Sequence, residues 1–431
     1  MTVIAGLVLF ISFFIMLLLS IPIAISIILS SILTLLLILP FDVTIITAAQ
    51  RMITGIDNFT MLAIPLFVLA GILMNNGGIA FRLVNFSKVL VGRMPGSLAH
   101  TNIVGNMLFG SISGSSVAAA AAMGRIMGPL QDKQGYKRDY SAAANIASAP
   151  AGLLIPPSSM LIVYSLVSGG TSIAALFMAG YIPGILWGVT GMVIAYILAK
   201  KNNYPVSEKI GWKDRFFLIL DAIPSLLLII IVIGGIVGGI FTATEGAAIA
   251  VLYAFILSLI YKSFKIKDIP VIVKETVEIT GMILLLITAS ALFSLVMSFT
   301  GLPEAISNGI LSLTENPILL LLLMNVILLI IGTFMDITPA VLIFTPIFLP
   351  VATSIGLDPV HFGIVIAFNL CIGNITPPVG SALFVGASVA NVKIESVIRT
   401  LVPYFIALIV MLLAITFIPQ LSMFLPNLFE L

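Results

Sequence analysis

The chain has 431 residues, of which 60% are hydrophobic and only 8% are charged, and its mean hydropathy is +1.25. This balance excludes a soluble globular domain and indicates a helical membrane protein that crosses the bilayer several times. The net charge of +2 gives no reason to expect nucleic-acid binding, the single cysteine excludes a disulfide within the chain, and no phosphate-binding loop motif for ATP hydrolysis is present.

The first half of the chain begins with spanning and interfacial helices. Apolar runs predict spans at Val3–Leu19, Pro22–Leu39 and Phe59–Met74. The first run lacks a basic leading region and a small-residue cleavage site, which predicts a retained helix rather than a signal peptide. Asp42–Asp57 is amphipathic and too polar to span, so we expect an arm along the membrane surface, and Ile79–Val91 has a similar interfacial character.

The next segment predicts a re-entrant helical hairpin. Pro95–Leu130 is long, but Gly110–Ser116 divides it into halves that are too short to span alone. Basic residues flank it on both sides, which places both of its ends in the cytoplasm. Asp139–Ser168 then predicts a spanning helix that is broken near its middle, and Ile173–Ala199 returns to a basic loop.

The second half repeats this order. Spans are predicted at Phe217–Ile240, Ala247–Tyr261 and Ile279–Phe299, and a last span ends at Ile418. Between them are predicted a second arm at Lys262–Glu278, a second hairpin at Pro317–Val351 and a second broken helix at Val360–Val389. The segment Gly301–Thr314, before the second hairpin, has no Lys or Arg. That hairpin, broken at Gly332–Pro339, has no basic residue at either end, so it is expected to enter from the outside. The halves would therefore be inverted, with the N-terminus outside.

A nearly constant offset relates the interruptions of the two halves. Gly110 precedes Gly332 by 222 positions, and Pro156–Pro157 precedes Pro377–Pro378 by 221. Gly/Pro-interrupted apolar segments at corresponding positions of two halves indicate a transporter binding site at the repeat interface. The predicted fold is all-α and polytopic, an inverted repeat with two re-entrant hairpins and two broken transmembrane helices.

These interruptions also carry a family resemblance. Gly332–Pro350, with Gly-Thr-Phe-Met-Asp-Ile-Thr-Pro at its start, Leu357–Gly363 and Ile375–Gly380 resemble the large membrane subunit of tripartite ATP-independent periplasmic (TRAP) transporters. Gly110–Ser116 and Ile155–Ser158 are similar to the first-half motifs of that family. The resemblance covers essentially the whole chain.

The resemblance implies an elevator-type, sodium-driven importer of organic acids in the bacterial inner membrane. Such a subunit works in the lipid bilayer with a small four-helix membrane subunit and a periplasmic substrate-binding protein. Because this chain starts directly in the large subunit, the small subunit is expected as a separate polypeptide. The chain departs from the family at Asn374, where a bulky apolar residue is common.

The chemistry of the interruptions suits sodium. Irregular backbone at membrane depth must line a cavity or lie buried in protein, and hydroxyl and carbonyl oxygens are the ligands of a hard cation. We expect two or more Na⁺ ions, with one site in each half. The predicted sodium-site residues are Ser111, Ser113, Gly114, Ser115, Ala149 and Gly152 in the first half, and Gly332, Thr333, Asp336, Thr338, Gly373, Thr376 and Pro377 in the second.

The solute carboxylate is expected between the two sodium sites, near hydroxyl groups and helix N-termini. The predicted substrate-binding residues are Ser113, Ser115, Ser116, Pro157, Ser158, Asp336, Thr338, Asn374, Thr376 and Ser381. Two structural alternatives stay open here: small residues such as those at 111–116 also let helices pack closely, and Asp336 could simply cap the helix that follows it. A site rich in Ser, Thr and Asn and poor in Arg favours sialic acid over C4-dicarboxylates or other sugar acids.

Several further residues have structural interpretations. Arg125 is interpreted as anchoring the first hairpin, with a carboxylate-binding role as the alternative. Glu245 and His361 are interpreted as helix caps, and His100 as structural. The two tryptophans, Trp187 and Trp212, are interpreted as interfacial anchors.

The predicted units follow the repeat. Residues 1–94, 172–316 and 393–431 are assigned to a fixed scaffold, and residues 95–171 and 317–392 to a moving transport unit. The functional alternatives are a sodium/carboxylate symporter of the same superfamily that works alone, a passive channel, and an intramembrane enzyme. The enzyme has little support, because HExxH and GxGD motifs are absent and both histidines lie near segment ends.

Overall fold

The computed structural model describes residues 2–206, 211–263, 265–302, 305, 309 and 316–431. Within these residues all regular elements are helical, and eight helices are long and apolar enough to cross a membrane, or nine if one bent pair counts as a single span. The predicted all-α, multi-pass membrane protein is confirmed. Most of the predicted segment Gly301–Thr314 lies outside the described residues.

The helices of the first half follow the predicted order. They are α1 Thr2–Leu18, α2 Ile23–Ile38, α3 Phe41–Thr54, α4 Ala63–Asn76, α5 Ile79–Val91, α6 Ser97–Ser113, α7 Ser116–Lys133, α8 Arg138–Ser148, α9 Ala151–Leu154, α10 Ser159–Val167 and α11 Ile173–Lys201. A short 3-10 turn, Phe59–Leu62, leads directly into α4. The broken helix of this half is α8 to α10, which bends by 50° between Leu154 and Ser159.

The second half has the corresponding helices. They are α12 Trp212–Val237, α13 Ala243–Ile260, α14 Ile269–Thr300, α15 Pro317–Phe334, α16 Ile337–Ser354, α17 Pro359–Asn374, α18 Ser381–Val389, α19 Ile394–Phe417 and α20 Gln420–Leu428. Helices α15 and α16 form the second hairpin. Each has 18 residues and is apolar enough to cross a membrane by length and composition, so re-entrant insertion stays a prediction.

The second arm differs from the sequence prediction. Lys262–Glu278 was expected to form a helix separate from the span Ile279–Phe299, but from Ile269 onward both belong to α14, a single helix of 32 residues. In the first half the chain leaves α3 at Gly55, and the Asn58 side chain then caps the next turn. No such stop signal interrupts α14. The helix therefore continues through the point at which the sequence changes from charged to apolar residues.

We divide the helices into two groups, a hairpin body with α6–α11 and α15–α20 and a scaffold body with α1–α5 and α12–α14. The two are in contact where α6 packs on α4 and α5 and where α14 packs on α16. Within the hairpin body each hairpin packs against the broken helix of its own half, α6 and α7 on α8 and α15 and α16 on α17. The halves also interlock, because α7 packs on α18 and α10 packs on α16. This packing between helices of different halves places the two hairpin tips beside each other.

Two helices of the predicted scaffold also contact the predicted transport unit, and the division itself stays a prediction. Residues 172–201 and 393–431 were assigned to the scaffold, but α11 packs on α6, α8, α9 and α17, and α19 packs on α8, α11 and α17. The two helices start 221 positions apart, at Ile173 and Ile394, so they are repeat equivalents. Apolar composition identifies a span but not its neighbours, which is why the sequence did not reveal this placement.

Candidate functional site

The two hairpins turn over short, non-helical tips. In the first hairpin α6 ends at Gly114, whose φ of +62° lies in the left-handed region that glycine adopts without strain. The Ser115 hydroxyl then accepts a 3.2 Å hydrogen bond from the backbone N–H of Ala118 and caps α7. In the second hairpin two extended residues, Met335 and Asp336, separate α15 from α16.

Each broken helix is tied to the tip of its own hairpin. Both breaks contain two adjacent prolines joined by a cis peptide bond. Beyond the first break, the Ser159 hydroxyl donates a 3.2 Å hydrogen bond to the carbonyl of Gly114. At the second break, the backbone N–H of Val379 donates a 3.1 Å hydrogen bond to the carbonyl of Thr333. The irregular segments of each half therefore form one local unit.

Glycine pairs bring the hairpins into backbone contact with the broken helices. A Cβ atom placed on Gly152 would lie 2.3 Å from the Cα atom of Gly110, and one placed on Gly373 would lie 2.4 Å from the Cα atom of Gly332. Only residues without a side chain fit at such a distance. The same contact in both halves explains why glycine stands at both ends of the 222-residue offset.

Hydroxyl groups occupy equivalent positions beside these contacts. Ser111 Oγ donates a 2.9 Å hydrogen bond to the carbonyl of Leu108, and Thr333 Oγ1 donates a 2.7 Å hydrogen bond to the carbonyl of Ile330. Each hydroxyl hydrogen is used within its own helix. The oxygen lone pairs stay available as acceptors, which is the chemistry that a cation ligand requires.

A cavity of about 420 Å³ lies between the hairpin tips and two scaffold helices. The predicted site residues that line it are Ser113, Gly114, Ser115, Ser116, Pro157, Asp336 and Thr338. They come from the first tip, the first break and the second tip, so the structure brings both halves of the predicted site to one cavity. Helices α4 and α14 close the opposite side.

The other predicted site residues lie behind this lining. Ser158 is fully buried and caps α10 through a 3.4 Å hydrogen bond from the backbone N–H of Leu161. Ala149 is also fully buried. Thr376 Oγ1 donates to the carbonyl of Ile372 at 2.7 Å, within the second break. Gly152, Gly332, Thr333, Gly373 and Pro377 complete the glycine contacts and the second break.

A polar network surrounds Asp336. Asn374 Nδ2 and Ser381 Oγ each donate a 3.1 Å hydrogen bond to Asp336 Oδ1. Asn374 Nδ2 also donates to Ser381 Oγ at 2.7 Å, and Asn374 Oδ1 accepts a 2.8 Å hydrogen bond from Ser116 Oγ. Asp336 occupies the N-cap position of α16, but its side chain makes no capping hydrogen bond. The carboxylate is thus held from the side by the network rather than used as a cap.

The charge of the cavity is unbalanced. Among the described residues that line it, Asp336 is the only charged one. The described residues also contain no group of three or more His, Cys, Asp or Glu side chains that could hold a metal ion. Arg125 lies exposed on α7, outside the cavity lining. A bound anion would therefore find hydroxyls and helix ends here, but no cationic side chain.

Sequence reasoning missed the scaffold side of the cavity. Phe67, Gly71 and Asn75 on α4, together with Ile279 and Met282 on α14, line the wall opposite the tips. Their spacing of three to four residues is the signature of one helix face. A search for an apolar stripe interrupted by one polar residue, Asn75, could have identified α4 as part of the site.

The structure corrects two residue assignments and confirms two others. Trp187 is fully buried rather than interfacial, and its Nε1 donates a 2.8 Å hydrogen bond to the carbonyl of Ala147 beside the first break. His361 does not cap α17, because Asp358 accepts the capping hydrogen bond from the N–H of Val360. Glu245 caps α13 in a reciprocal arrangement with Thr242, as predicted. His100 is a fully buried structural residue, as predicted.

A second cavity, of about 630 Å³, lies elsewhere between the two bodies. It is lined by the turn between α10 and α11, the turn between α12 and α13, and the stretch before α4. None of the predicted site residues line it. The smaller cavity, which seven of them line, is therefore the candidate site.

Comparison with known proteins decides the family. A family profile described as "Tripartite ATP-independent periplasmic transporter, DctM component" matches residues 10–421. This chain belongs to the TRAP transporter DctM family. The TRAP permease from Vibrio cholerae named "Sialic acid TRAP transporter large permease protein SiaM" is 40% identical over 383 residues, which cover 89% of this chain and 90% of that protein.

Two further relatives extend the comparison. A Salmonella typhimurium protein named "Uncharacterized protein YgiK" is 53% identical and covers 98% of this TRAP permease and 97% of its own length. The Pseudomonas aeruginosa "C4-dicarboxylate TRAP transporter large permease protein DctM" is 37% identical, with coverage of 88% and 89%. The crystal structure of the Alcanivorax borkumensis YdaH transporter shares the fold, with a TM-score of 0.62, 15% identity and 86% coverage of each chain.

Proposed function

We propose that this TRAP large permease imports a carboxylate-bearing solute together with two or more sodium ions. The observation that carries the proposal is the charge of the tip cavity, in which Asp336 stands without a cationic partner among the lining residues. A solute carboxylate would add a second negative charge beside Asp336, and the two like charges would repel each other unless cations accompany the solute. Sodium supplies that charge.

The chemistry of the two tips supports sodium as the cation. Ser111 and Thr333 hold free oxygen lone pairs at equivalent positions, next to helix ends whose last carbonyls cannot bond within their own helix. Oxygen ligands of this kind suit a hard cation. Transition metals, which prefer imidazole or thiolate ligands, have no matching cluster in the described residues.

The hydroxyl-rich lining favours a solute with several hydrogen-bonding groups and one carboxylate. Ser113, Ser115, Ser116 and Thr338 offer hydroxyls, whereas a second carboxylate would have no Arg or Lys among the lining residues to pair with. Sialic acid is therefore our first candidate, and a C4-dicarboxylate or another sugar acid is the second. Relatives named for sialic acid and for C4-dicarboxylates have similar identity to this chain.

Family membership supports two protein partners. We propose a small four-helix membrane subunit and a periplasmic binding protein that delivers the solute. The subunit would lie in the bacterial inner membrane. The basic loops at 131–138 and 200–215 would then be cytoplasmic and the N-terminus periplasmic, because cytoplasmic loops carry the excess of Lys and Arg.

An elevator motion of the hairpin body is the proposed mechanism. The cavity wall contributed by the scaffold is mainly apolar, with Phe67, Ile72, Ile279, Met282 and Leu286 facing the tips. An apolar surface without directional bonds permits sliding at low cost. Hydrogen bonds instead connect helices inside each body.

Examples of these internal bonds come from both bodies. In the scaffold, Arg51 Nε donates to the carbonyl of Ala291 at 3.3 Å, and Arg82 pairs with Asp221 at 2.9 Å. In the hairpin body, the Tyr164 hydroxyl donates to the carbonyl of Pro359 at 2.6 Å, which joins the two broken helices. Hydrogen bonds of this kind inside each body support the proposed rigid-body motion.

Reconstitution tests the proposal. The permease, its small subunit and the binding protein encoded nearby would be placed in proteoliposomes, and labelled acids would be offered under an inward sodium gradient. We expect accumulation of one acid above its external concentration, abolished when potassium replaces sodium. Equal uptake in the two salts would contradict sodium coupling.

Two results of this assay would favour the alternative functions. Uptake that persists without the binding protein would favour a symporter that works alone. Equilibration without accumulation would favour a channel. The family is a transporter family, and both histidines lie outside the cavity lining, so an intramembrane serine–histidine enzyme is not retained.

A further inference from the structure

Asn374 makes hydrogen bonds to three other segments beside the cavity. It is the last residue of α17 and only 1% exposed. Its Oδ1 accepts from Ser116 at the start of α7, and its Nδ2 donates to Asp336 before α16 and to Ser381 at the start of α18. One amide therefore connects the tip of the first hairpin with the tip and the broken helix of the second half.

The repeat shows that the fold itself does not need this network. At the repeat offsets of 221 and 222, the first-half counterparts of Asn374, Asp336 and Ser381 are Leu153, Gly114 and Met160. The first hairpin and its broken helix form with those apolar residues in place. The polar network is present in one half only, which indicates a functional rather than an architectural role.

We infer that Asn374 is a positioning residue that couples the two hairpin tips and sets which hydrogen-bonding groups the cavity offers to its solute. An asparagine amide can donate and accept at the same time. Asn374 accepts the hydrogen bond from Ser116 and donates one to Asp336 Oδ1, so these two residues present the Ser116 lone pairs and Asp336 Oδ2 to the cavity. Both are acceptors, so the part of the solute that meets them must bring donors or positive charge.

This assigns a solute preference to Asn374. A polyhydroxylated monocarboxylic acid brings hydroxyl donors, whereas a simple C4-dicarboxylate brings only acceptors. With an apolar residue at 374, the Ser116 hydroxyl would be free to donate to a second carboxylate, and the preference would move toward the dicarboxylate. The preference rests on the proposed function; the coupling of the tips does not.

The coupling is tested by thermal unfolding of the purified subunit complex. Ser116→Ala and Ser381→Ala should lower the Tm non-additively when residue 374 is Asn, because both hydroxyls bind the same amide. In an Asn374→Leu background the two effects should add. Additive effects with Asn374 in place would overturn the coupling, and this measurement requires no transport.

The preference is tested by uptake of sialic acid and succinate into proteoliposomes. Asn374→Leu should shift the uptake ratio toward succinate by roughly tenfold, the effect of about one buried hydrogen bond. Asn374→Asp should reduce uptake of both acids more than Asn374→Leu, since it places a second carboxylate beside Asp336. An unchanged ratio in Asn374→Leu, or full activity in the isosteric Asn374→Asp, would show that the residue only fills space.

Asn369→Leu is the matched control. Asn369 lies on the same helix, is fully buried and donates to Asn325 Oδ1 at 2.7 Å, away from the cavity. This variant should lower the Tm and leave the uptake ratio unchanged. If Asn369→Leu shifted the uptake ratio as much as Asn374→Leu does, the solute preference could not be assigned to Asn374. If wild-type protein transports neither acid, the proposed choice of these two solutes fails, and the Tm cycle alone decides the role of Asn374.

Discussion

Ser396 on α19 donates a 2.9 Å hydrogen bond to Asp139 Oδ1 on α8, which joins the last long helix to the broken helix of the first half. The bond agrees with the packing of α19 in the hairpin body. We therefore expect the disulfide or short crosslink formed by Ser396→Cys with Asp139→Cys, in a Cys371→Ser background, to leave uptake unchanged. Loss of uptake on crosslinking would return α19 to the scaffold.

A crosslink between the two bodies should have the opposite effect. Met282 on α14 and Val117 on α7 line the same cavity from the scaffold and from the first tip. A bis-maleimide joining Met282→Cys to Val117→Cys should abolish uptake, because it would fix the hairpin body to the scaffold. Each single variant treated with the same reagent is the control. Full uptake by the crosslinked protein would remove the elevator mechanism.

The glycine contacts predict a steric effect. Gly152→Ala and Gly373→Ala would each place a methyl group against the backbone of the facing hairpin. We expect each to destabilise the fold by about 1–3 kcal/mol and to reduce uptake. Gly281→Ala, on the exposed face of α14 with no atom within 4 Å of the new Cβ, is the control and should be neutral. The measurement is the Tm of each variant. Equal Tm values for all three variants would show that the glycine contacts are not as close as described.

The C-terminal helix depends on a buried histidine. His361 is 2% exposed, and its Nδ1 lies 2.6 Å from Ser422 Oγ on α20. Ser422→Ala should lower the free energy of unfolding by about 1–2 kcal/mol, since it leaves a buried ring nitrogen without its partner. The exposed Ser388→Ala on α18 is the control and should change it little. A Tm for Ser422→Ala equal to that of the control would show that the contact contributes nothing.

Topology can be measured with single cysteines. Lys133 and Ser354 are both exposed, and Cys371 is fully buried, so Cys371→Ser is a suitable background. A membrane-impermeant maleimide should label Ser354→Cys from the periplasm and Lys133→Cys only in inverted vesicles. Periplasmic labelling of Lys133→Cys would overturn the charge-based orientation.

The hairpins and the helix breaks, which occur in both halves of the chain, could be predicted from the sequence. The offset between Gly110 and Gly332 identified both hairpins, and the proline pairs identified both breaks, because interruptions of an apolar run are visible without knowing what packs on them. The placement of α19 and the burial of Trp187 were not predictable in this way. Both depend on which helix lies opposite, and an apolar helix carries little information about its neighbour.

The network around Asn374 was predictable only in part. Asn374 is a polar residue at the second interruption, and it departs from the family pattern. Its bond to Ser116 joins positions 258 residues apart in the chain, which no local pattern reveals. Aligning the two halves would have shown Asn374, Asp336 and Ser381 as polar where the first half is not.

The sodium dependence of uptake tests the central claim most directly. Initial rates against sodium concentration, at saturating solute and binding protein, would be compared for wild type, Ser115→Ala, Thr376→Ala and Asp336→Asn. Each of the first two variants should raise the half-maximal sodium concentration by about tenfold, and Asp336→Asn by more, because a charged oxygen is a stronger ligand. Ser115 also caps α7, so Ser172→Ala, which removes the cap of α11, controls for cap loss and should keep the wild-type value. Wild-type sodium dependence in all three site variants would contradict the account and place the cations elsewhere.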